Sequence, residues 1–318
     1  MITFLLFIIG FLLLIKGADY LVSGASSLAY KLGVAPLVIG LTIVAFGTSA
    51  PELIVNLMAS MSGNTDIAIG NILGSNIVNI LIILGVSAII YPIAVQKSTV
   101  WKEIPFALLA VVVMAFMASD ALIDGAGSSY LSRIDGLVLI SFFVIFLCYI
   151  IGLAKESPNE TAEKPLDMTR ARSILFIIGG LVALVIGGKW IVDGAVIFAQ
   201  SFGVSESLIG LTIVAIGTSL PELATSVVAA YKKNTDIAIG NIVGSNIFNI
   251  FFILGTTSLF RTVPIVSNNL LDIFVLLVGT IFLFATGFLY KKHTIDRREG
   301  AVMILGYFVY LAYIITRG

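Results

Sequence analysis

The sequence predicts an all-α membrane protein in which ten transmembrane helices form two inverted five-helix repeats, with discontinuous helices 2 and 7 at the membrane midplane. Of its 318 residues, 59% are hydrophobic and 11% are charged, which is too apolar for a water-soluble core. A 46-residue block occurs twice, at residues 40–85 and 210–255, with 31 identical positions. Each copy carries a Pro–Glu pair inside an apolar stretch.

Apolar stretches long enough to cross a bilayer follow one another along the chain. Each is predicted to be a helix, because backbone groups in hydrocarbon must find their partners within the segment. A polar linker, residues 154–170, divides a first repeat (residues 1–153) from a second, inverted repeat (residues 171–318). The expected spans are roughly residues 2–29, 36–62, 67–91, 103–121, 130–153, 171–199, 207–231, 237–260, 268–290 and 299–316.

The basic residues predict the orientation of these spans. Five spans per repeat turn the second copy upside down relative to the first. Thirteen Lys and Arg fall in loops on one side, three on the other and two within spans, which places both termini outside and the linker in the cytoplasm of a cell-membrane protein.

The first stretch lacks a basic n-region and cleavage site, so we expect a span there and not a removed signal peptide. Net charge is zero, which implies no nucleic-acid partner, and we expect a functional monomer.

Glu52 and Glu222 lie near the middle of spans two and seven. An uncompensated acid at that depth costs about 2.5–3.5 kcal/mol on insertion scales. Pro51 and Pro221 precede them, and a proline inside a helix removes a hydrogen bond and breaks or kinks the helix. Broken helices at matching midplane positions indicate a transport site.

Further oxygen atoms recur at helical spacing around each acid. Thr48 and Ser49 precede Glu52 by four and three residues, and Thr218 and Ser219 precede Glu222 in the same way, so each set is expected to share a helix face. Glycine pairs four residues apart on the next span allow close helix approach. The recurring polar positions of that next span are Asn71, Ser75 and Asn79 in the first copy and Asn241, Ser245 and Asn249 in the second.

This all-oxygen, anionic set favours a hard cation such as Ca²⁺, with Na⁺ of similar radius, over transition metals. Packing and interhelical hydrogen bonding remain an equal alternative for Asn71, Asn76, Asn241 and Asn246. For the two glutamates, the alternative is a structural pair neutralised by protonation. Elsewhere, we interpret Asp66 and Asp236 as helix caps, and Lys16 with Asp19 and Lys189 with Asp193 as intrahelical pairs.

The two blocks resemble the alpha-repeats of the sodium/calcium exchanger family, within the cation/Ca²⁺ antiporter superfamily. The matching motifs are GTSAPE (residues 47–52) with GNILGSNIVN (70–79), and GTSLPE (217–222) with GNIVGSNIFN (240–249). The ten spans and central linker match the layout of that family. The resemblance therefore implies that spans one and six slide past a core of the other eight.

By this resemblance, Glu52 and Glu222 bind both Ca²⁺ and Na⁺. At the position of Asn249 many relatives carry Asp, and K⁺-dependent members use an acid there; this chain has Asn79 and Asn249 at the two equivalent central positions, which argues against K⁺ dependence. The remaining implied ligands are the carbonyls of Thr48 and Thr218 for Ca²⁺, and, for flanking Na⁺ sites, Ser49, Ser75 and the Ala45 carbonyl in one half with Ser219, Ser245 and the Ala215 carbonyl in the other.

The predicted function is Na⁺/Ca²⁺ antiport by alternating access, exporting Ca²⁺ and electrogenic if three Na⁺ move per Ca²⁺, with no cofactor. A Ca²⁺/H⁺ exchanger or another cation antiporter that uses the same glutamates is the alternative. An ion channel is disfavoured because the chain has no carbonyl-filter repeat. An enzyme is not expected, since one Cys and one His offer neither a nucleophile–base pair nor a metal triad.

Overall fold

The computed structural model describes residues 2–123, 125, 127–156, 166, 168–201, 215–289 and 291–317. Helix α1 (Ile2–Leu32) runs antiparallel to a long partner, α8 (Arg170–Ser201). Two buried helices, α4 (Thr65–Ile90) and α11 (Thr235–Phe260), occupy the centre. Among the described residues the helices are α1 (Ile2–Leu32), α2 (Pro36–Thr48), α3 (Ala50–Ser62), α4 (Thr65–Ile90), α5 (Lys97–Met117), α6 (Asp120–Ile123), α7 (Arg133–Glu156), α8 (Arg170–Ser201), α9 (Ala215–Thr218), α10 (Leu220–Tyr231), α11 (Thr235–Phe260), α12 (Ser267–Thr286) and α13 (Arg297–Arg317).

Eight of these helices are long and apolar enough to cross a membrane, and α2 with α3 forms a ninth span bent by 44°. This bend lies in the second span, where the sequence predicts a discontinuity. Helices α9 and α10 lie within the expected seventh span, residues 207–231, whose first part falls outside the described residues. The expected count of ten spans therefore stays a prediction.

Helices α4 and α11 form the core of the bundle. In their most apolar stretches 78% and 94% of residues are buried, against 22–44% for the other long helices. The sequence predicts close approach for two glycine pairs, Gly70 with Gly74 and Gly240 with Gly244. It is present at Gly240 and Gly244, where a Cβ atom would lie within about 3 Å of the backbone of α2 near Leu37 and Leu41, whereas a Cβ on Gly70 would meet no described atom within 4 Å. Helix α2 is thus held directly against the centre of the core.

Helices α1 and α8 pack through glycines spaced by seven residues. A Cβ on Gly17 would lie 2.9 Å from the Gly180 carbonyl oxygen, and one on Gly180 would lie 2.7 Å from the Gly17 oxygen. Gly10 and Gly187 meet in the same reciprocal way. Small residues allow such backbone contact, which is how helices associate without a hydrophobic driving force.

Two short antiparallel strand pairs join loops of different halves. Strand β1 (Ile93–Ala94) pairs with β4 (Thr294–Ile295), and β2 (Ser129–Leu131) pairs with β3 (Val263–Ile265). These strands lie in connecting loops and leave the spans helical. Paired loops must lie on the same side of a membrane, so each pair links two loops at one surface.

The structure corrects the expected caps. Helix α4 begins after Asn64 and α11 after Asn234, whose side chain accepts a bond from the Ile237 amide. Asp66 and Asp236 therefore lie one residue inside their helices, where Asp236 accepts a hydrogen bond from Gln96.

The expected Lys16–Asp19 pair is also wrong. Asp19 instead forms an ion pair with Lys232, at 2.5 Å between Nζ and Oδ1. Because Lys232 follows the end of α10, this contact joins α1 to the second half of the chain, which periodicity along one helix does not reveal.

Candidate cation site

In each half, a helix is interrupted at a serine that lies two residues before the proline. Ser49 lies between α2 and α3 with φ −82° and ψ 5°, and Ser219 lies between α9 and α10 with φ −86° and ψ 4°. Pro51 and Pro221 occupy the second position of the helices that follow, where a missing N–H leaves no helical bond unmade. Both glutamates therefore lie in the first turn of a new helix.

Each of these two serines hydrogen-bonds to the glutamate of the other half. The Ser49 hydroxyl donates to Oε1 of Glu222 at 2.9 Å, and the Ser219 hydroxyl donates to Oε1 of Glu52 at 3.4 Å. Each serine therefore contacts the acid of the other half, and the expected sharing of one helix face by Ser49 and Glu52 stays a prediction. Both acids and both serines are buried.

Two threonines, each at the end of the helix before a break, also bond to a residue of the other half. The Thr48 hydroxyl lies 3.1 Å from Oδ1 of Asn241, and the Thr218 hydroxyl lies 3.1 Å from Oδ1 of Asn71. Thr48 is on α2 and Asn241 on α11, so each broken helix is tied to the core helix of the other half. Both predicted roles of Asn71 and Asn241, packing and site formation, are compatible with these bonds.

Several buried oxygen atoms of the site lack a hydrogen-bond partner among the described residues. They include Oε2 of Glu52 and of Glu222 and the hydroxyls of Ser75 and Ser245. A buried polar atom without a partner costs about 1–3 kcal/mol, and more when it is charged. These atoms face that cost unless a cation or water coordinates them.

The central asparagines differ between the halves. The Asn79 amide donates to Oδ1 of Asn246 at 2.9 Å, whereas neither side-chain atom of Asn249 has a partner among the described residues. Asn79 begins a π-helical turn, Asn79–Ile83, and Asn249 lies in another, Phe248–Leu254. Such π-turns are frequent at functional sites, and residue pattern gave no signal for them.

Some backbone carbonyls beside the breaks already accept hydrogen bonds. The Ala45 oxygen accepts bonds from the Ser49 amide at 3.0 Å and from the Thr48 hydroxyl at 3.3 Å, so the first half already uses that expected ligand. In the second half the Ser219 amide donates to Ile216, one residue beyond the corresponding Ala215. Thr48 and Thr218 end their helices beside the breaks, where carbonyls emerge from regular helical bonding.

Two buried acids away from this site escaped the sequence analysis. The Tyr149 hydroxyl on α7 hydrogen-bonds Glu103 of α5, and the Tyr310 hydroxyl on α13 donates to Asp272 of α12 at 3.0 Å. Each pair joins the last two spans of one half. Each bond therefore ties an acid to a tyrosine of the neighbouring span. The available sequence signal was an acid near the start of a predicted span, next to a span that carries a tyrosine.

Oxygen donors define the chemistry of the central site. Across the described ranges, no three His, Cys, Asp or Glu side chains gather into a cluster. The two glutamates are instead surrounded by hydroxyl, amide and carbonyl oxygens. Hard cations prefer such ligands, and a flexible shell of six to eight oxygens suits Ca²⁺.

The sequence matches that of known proteins over nearly the whole chain. Residues 2–152 and 172–316 match the family model described as sodium/calcium exchanger protein. The sodium/calcium exchanger MaX1 of Methanosarcina acetivorans is 32% identical over 342 aligned positions, covering 98% of this chain and 97% of MaX1. The inner membrane protein YrbG of Escherichia coli strain K12 is 42% identical, covering 80% of this chain and 78% of YrbG.

The fold also matches that of a solved structure. The sodium-calcium exchanger NCX_Mj, soaked with 2.5 mM Na⁺ and 0.1 mM Ca²⁺, superposes with a TM-score of 0.84 at 33% identity, covering 98% of both chains. The same protein soaked with 10 mM Na⁺ and 10 mM Sr²⁺ also gives 0.84.

Proposed function

The chain belongs to the sodium/calcium exchanger family, and from this premise we propose that it is a secondary active antiporter that exchanges Na⁺ for Ca²⁺ by alternating access. One observation carries the proposal: two buried glutamates from different halves, each bonded to a serine of the other half, present Oε2 atoms without a partner among the described residues. The family consists of transporters, in agreement with a non-enzymatic role.

The proposed ions bind between the two halves. Glu52 and Glu222 are shared ligands, and the carbonyls of Thr48 and Thr218 complete the Ca²⁺ site. The proposed Na⁺ ligands beside it are Ser49, Ser75 and the Ala45 carbonyl, and Ser219, Ser245 and the Ala215 carbonyl. The NCX_Mj structures obtained with Na⁺, Ca²⁺ and Sr²⁺ support a site of this ion class.

Charge balance explains coupled exchange. Two carboxylates supply a formal charge of −2, which one Ca²⁺ or two Na⁺ neutralises, and a third Na⁺ leaves +1. An empty site holds two desolvated anions, whose cost disfavours movement of the unloaded carrier. Na⁺ influx then drives Ca²⁺ out, and the exchange is electrogenic at three Na⁺ per Ca²⁺.

We also propose ten spans in two inverted repeats, residues 1–153 and 171–318, with a cytoplasmic linker at 154–170 and both termini outside. Matching backbone angles at Ser49 and Ser219 support the repeat. So do two equivalent glycine contacts, of Gly85 with Gly300 and of Gly136 with Gly255. Each strand pair joins loops that the basic residues assign to one side, β1 with β4 inside and β2 with β3 outside.

The test is ⁴⁵Ca²⁺ uptake into proteoliposomes under imposed Na⁺, K⁺ or H⁺ gradients. We expect uptake when Na⁺ is loaded inside, and acceleration by a positive-inside potential if three Na⁺ leave per Ca²⁺. Glu52→Gln and Glu222→Gln should each abolish this flux, whereas the control Asp66→Asn removes an exposed acid and should retain it.

Near-normal exchange in either glutamate variant would contradict the site assignment. Uptake driven by a pH gradient without Na⁺ would identify a Ca²⁺/H⁺ exchanger that uses the same carboxylates. Flux without any counter-ion would indicate a channel.

A further inference from the structure

A large apolar cavity lies beside the first helix break, where Gly47 and Ala50 are among its lining residues. Its volume is about 850 Å³, and most of its lining residues come from α2, α7, α8 and α11, with Leu28 of α1 and Ala50 of α3. Thr42 is the one polar side chain among the lining residues, and its hydroxyl is already bonded to the Val38 carbonyl at 2.6 Å. Cavities of this size accommodate ligands of several hundred daltons.

One wall of the cavity is a row of residues along α8. Ile174, Ile178, Val182 and Ile186 line it at intervals of four residues, so they lie on one helix face. The side chains of Ile174, Ile178 and Val182 are 47–56% exposed, which shows that the cavity opens to the outside of the bundle. At 1.5 Å per residue the row is about 18 Å long, roughly the depth of one bilayer leaflet.

The row ends at a basic residue. Arg170 precedes Ile174 by four positions and starts α8, so it continues the same face toward the end of the helix. Its guanidinium lies 3.4 Å from the Lys31 carbonyl oxygen and is exposed. A cation thus stands where the apolar row reaches the membrane surface.

The facing wall repeats this arrangement on α7. Phe143 and Leu147 line the cavity, and the exposed Ile151 and Lys155 continue the row at the same spacing. Lys155 lies in the last turn of α7 and Arg170 in the first turn of α8. Because these turns flank the linker, both cations lie at one membrane surface.

We propose that this cavity binds the acyl chain of an anionic phospholipid, whose phosphate is held by Arg170 and Lys155. An apolar, outward-opening cavity of leaflet depth matches a lipid chain, and two cations at its surface end match a negatively charged headgroup. Basic pockets between transmembrane helices bind anionic headgroups in this way, with each surface cation strengthening attraction to the membrane.

The bound chain contacts the first broken helix at its inner end. Gly47 and Ala50, on either side of Thr48 and Ser49, line the cavity together with Leu181 of α8. A Cβ on Gly47 would lie 2.6 Å from the Leu181 methyls, so α8 already touches the break there. The lipid therefore lies directly behind the residues that form the first half of the ion site.

The test measures lipid retention by the full chain in detergent, using native mass spectrometry with phosphatidylglycerol and with phosphatidylcholine of the same acyl chains. The wild type should retain one phosphatidylglycerol in preference to phosphatidylcholine. The double variant Arg170→Gln/Lys155→Gln should weaken phosphatidylglycerol binding about thirtyfold, the factor expected for two surface cations, and leave phosphatidylcholine binding unchanged. The matched control Lys97→Gln/Lys292→Gln removes two exposed cations that do not line the cavity.

A second variant tests the chain rather than the headgroup. Ile178→Trp should fill the cavity and weaken both lipids, whereas Leu175→Trp, at an exposed position of α8 outside the cavity lining, should weaken neither. Equal retention of the two lipids by the wild type, or an unchanged affinity in the charge variant, would overturn the anionic-lipid assignment. Unchanged binding in a folded Ile178→Trp protein, with folding checked by thermal unfolding, would overturn the location.

Discussion

The Ser49 hydroxyl donates a hydrogen bond of 2.9 Å to Glu222, a residue 173 positions away in the other half of the chain. The equivalent Ser219 hydroxyl reaches Glu52. Each broken helix therefore supplies an acid to the centre and a hydrogen bond to the acid of the other. A cation between the halves would interact with both at once, which links binding to the relative position of the two repeats.

This crossing is testable by a double-mutant cycle. Ser49→Ala combined with Glu222→Asp, which keeps the charge but retracts the carboxylate, should give a coupling of about 0.5–2 kcal/mol, typical of buried hydrogen bonds in membrane proteins. The measurement is the free energy of unfolding in SDS without Ca²⁺ or Na⁺. The control cycle, Ser49→Ala with Glu52→Asp in the same half, should couple weakly; equal coupling in both cycles would refute the crossed arrangement.

Packing of α1 against α8 depends on glycine at a defined face. Gly180→Ala should destabilise the protein by about 1–3 kcal/mol, because the new Cβ would lie 2.7 Å from the Gly17 carbonyl oxygen and from the Leu21 amide nitrogen. Its neighbour Gly179 has open space at the Cβ position. Gly179→Ala should be neutral or stabilising by up to about 1 kcal/mol, since alanine favours helix. Thermal unfolding in detergent distinguishes the two, and equal losses would show that α1 and α8 are not in backbone contact.

The two central asparagines should respond differently to an added charge. Asn249→Asp places a third carboxylate where the described residues provide no hydrogen bond, and we expect it to bind Ca²⁺ more tightly while the fold is retained. Asn79→Asp removes the donor to Asn246 and places a carboxylate oxygen next to Oδ1 of Asn246, which is also an acceptor. We expect this change to lower the free energy of unfolding by about 1–3 kcal/mol. Calorimetric Ca²⁺ titration and thermal unfolding of both variants provide the check. Identical behaviour would mean that Asn249 is not directed into the site.

The acid–tyrosine pair between α12 and α13 should contribute to stability rather than transport. Tyr310→Phe removes the donor to Asp272, a buried acid, and should lower the free energy of unfolding by about 1–3 kcal/mol. Tyr307→Phe is the matched control, since that buried tyrosine lies one turn earlier on the same helix. Exchange per folded molecule should be normal in both; a specific loss of exchange in Tyr310→Phe would place this pair in the transport machinery.

Much of this organisation can be predicted from the sequence alone. The lengths of the apolar stretches predict the spans, since a bilayer sets a minimum helix length. Pro51 predicts a break beside Glu52 because a proline cannot complete a helical hydrogen bond, and the chain bends by 44° between α2 and α3, close to that residue. Duplication of the Pro–Glu block identifies matching candidate residues in both halves.

The remaining features depend on contacts between distant segments. Residue spacing along one helix predicts that Ser49 and Glu52 share a face, but it does not predict that the Ser49 hydroxyl bonds to Glu222 in the other half. Spacing likewise assigns Asp19 to Lys16, whereas the packing of α1 brings it to Lys232.

Local periodicity and composition thus specify the elements, the membrane class and the identity of the acids, because these follow from solvation and short-range backbone geometry. Folding alone selects which hydroxyl meets Glu222, which amide of Asn79 and Asn249 is left without a partner among the described residues, and where the apolar cavity opens. Those outcomes require two halves to pack together, and their energies depend on distances that no single segment contains.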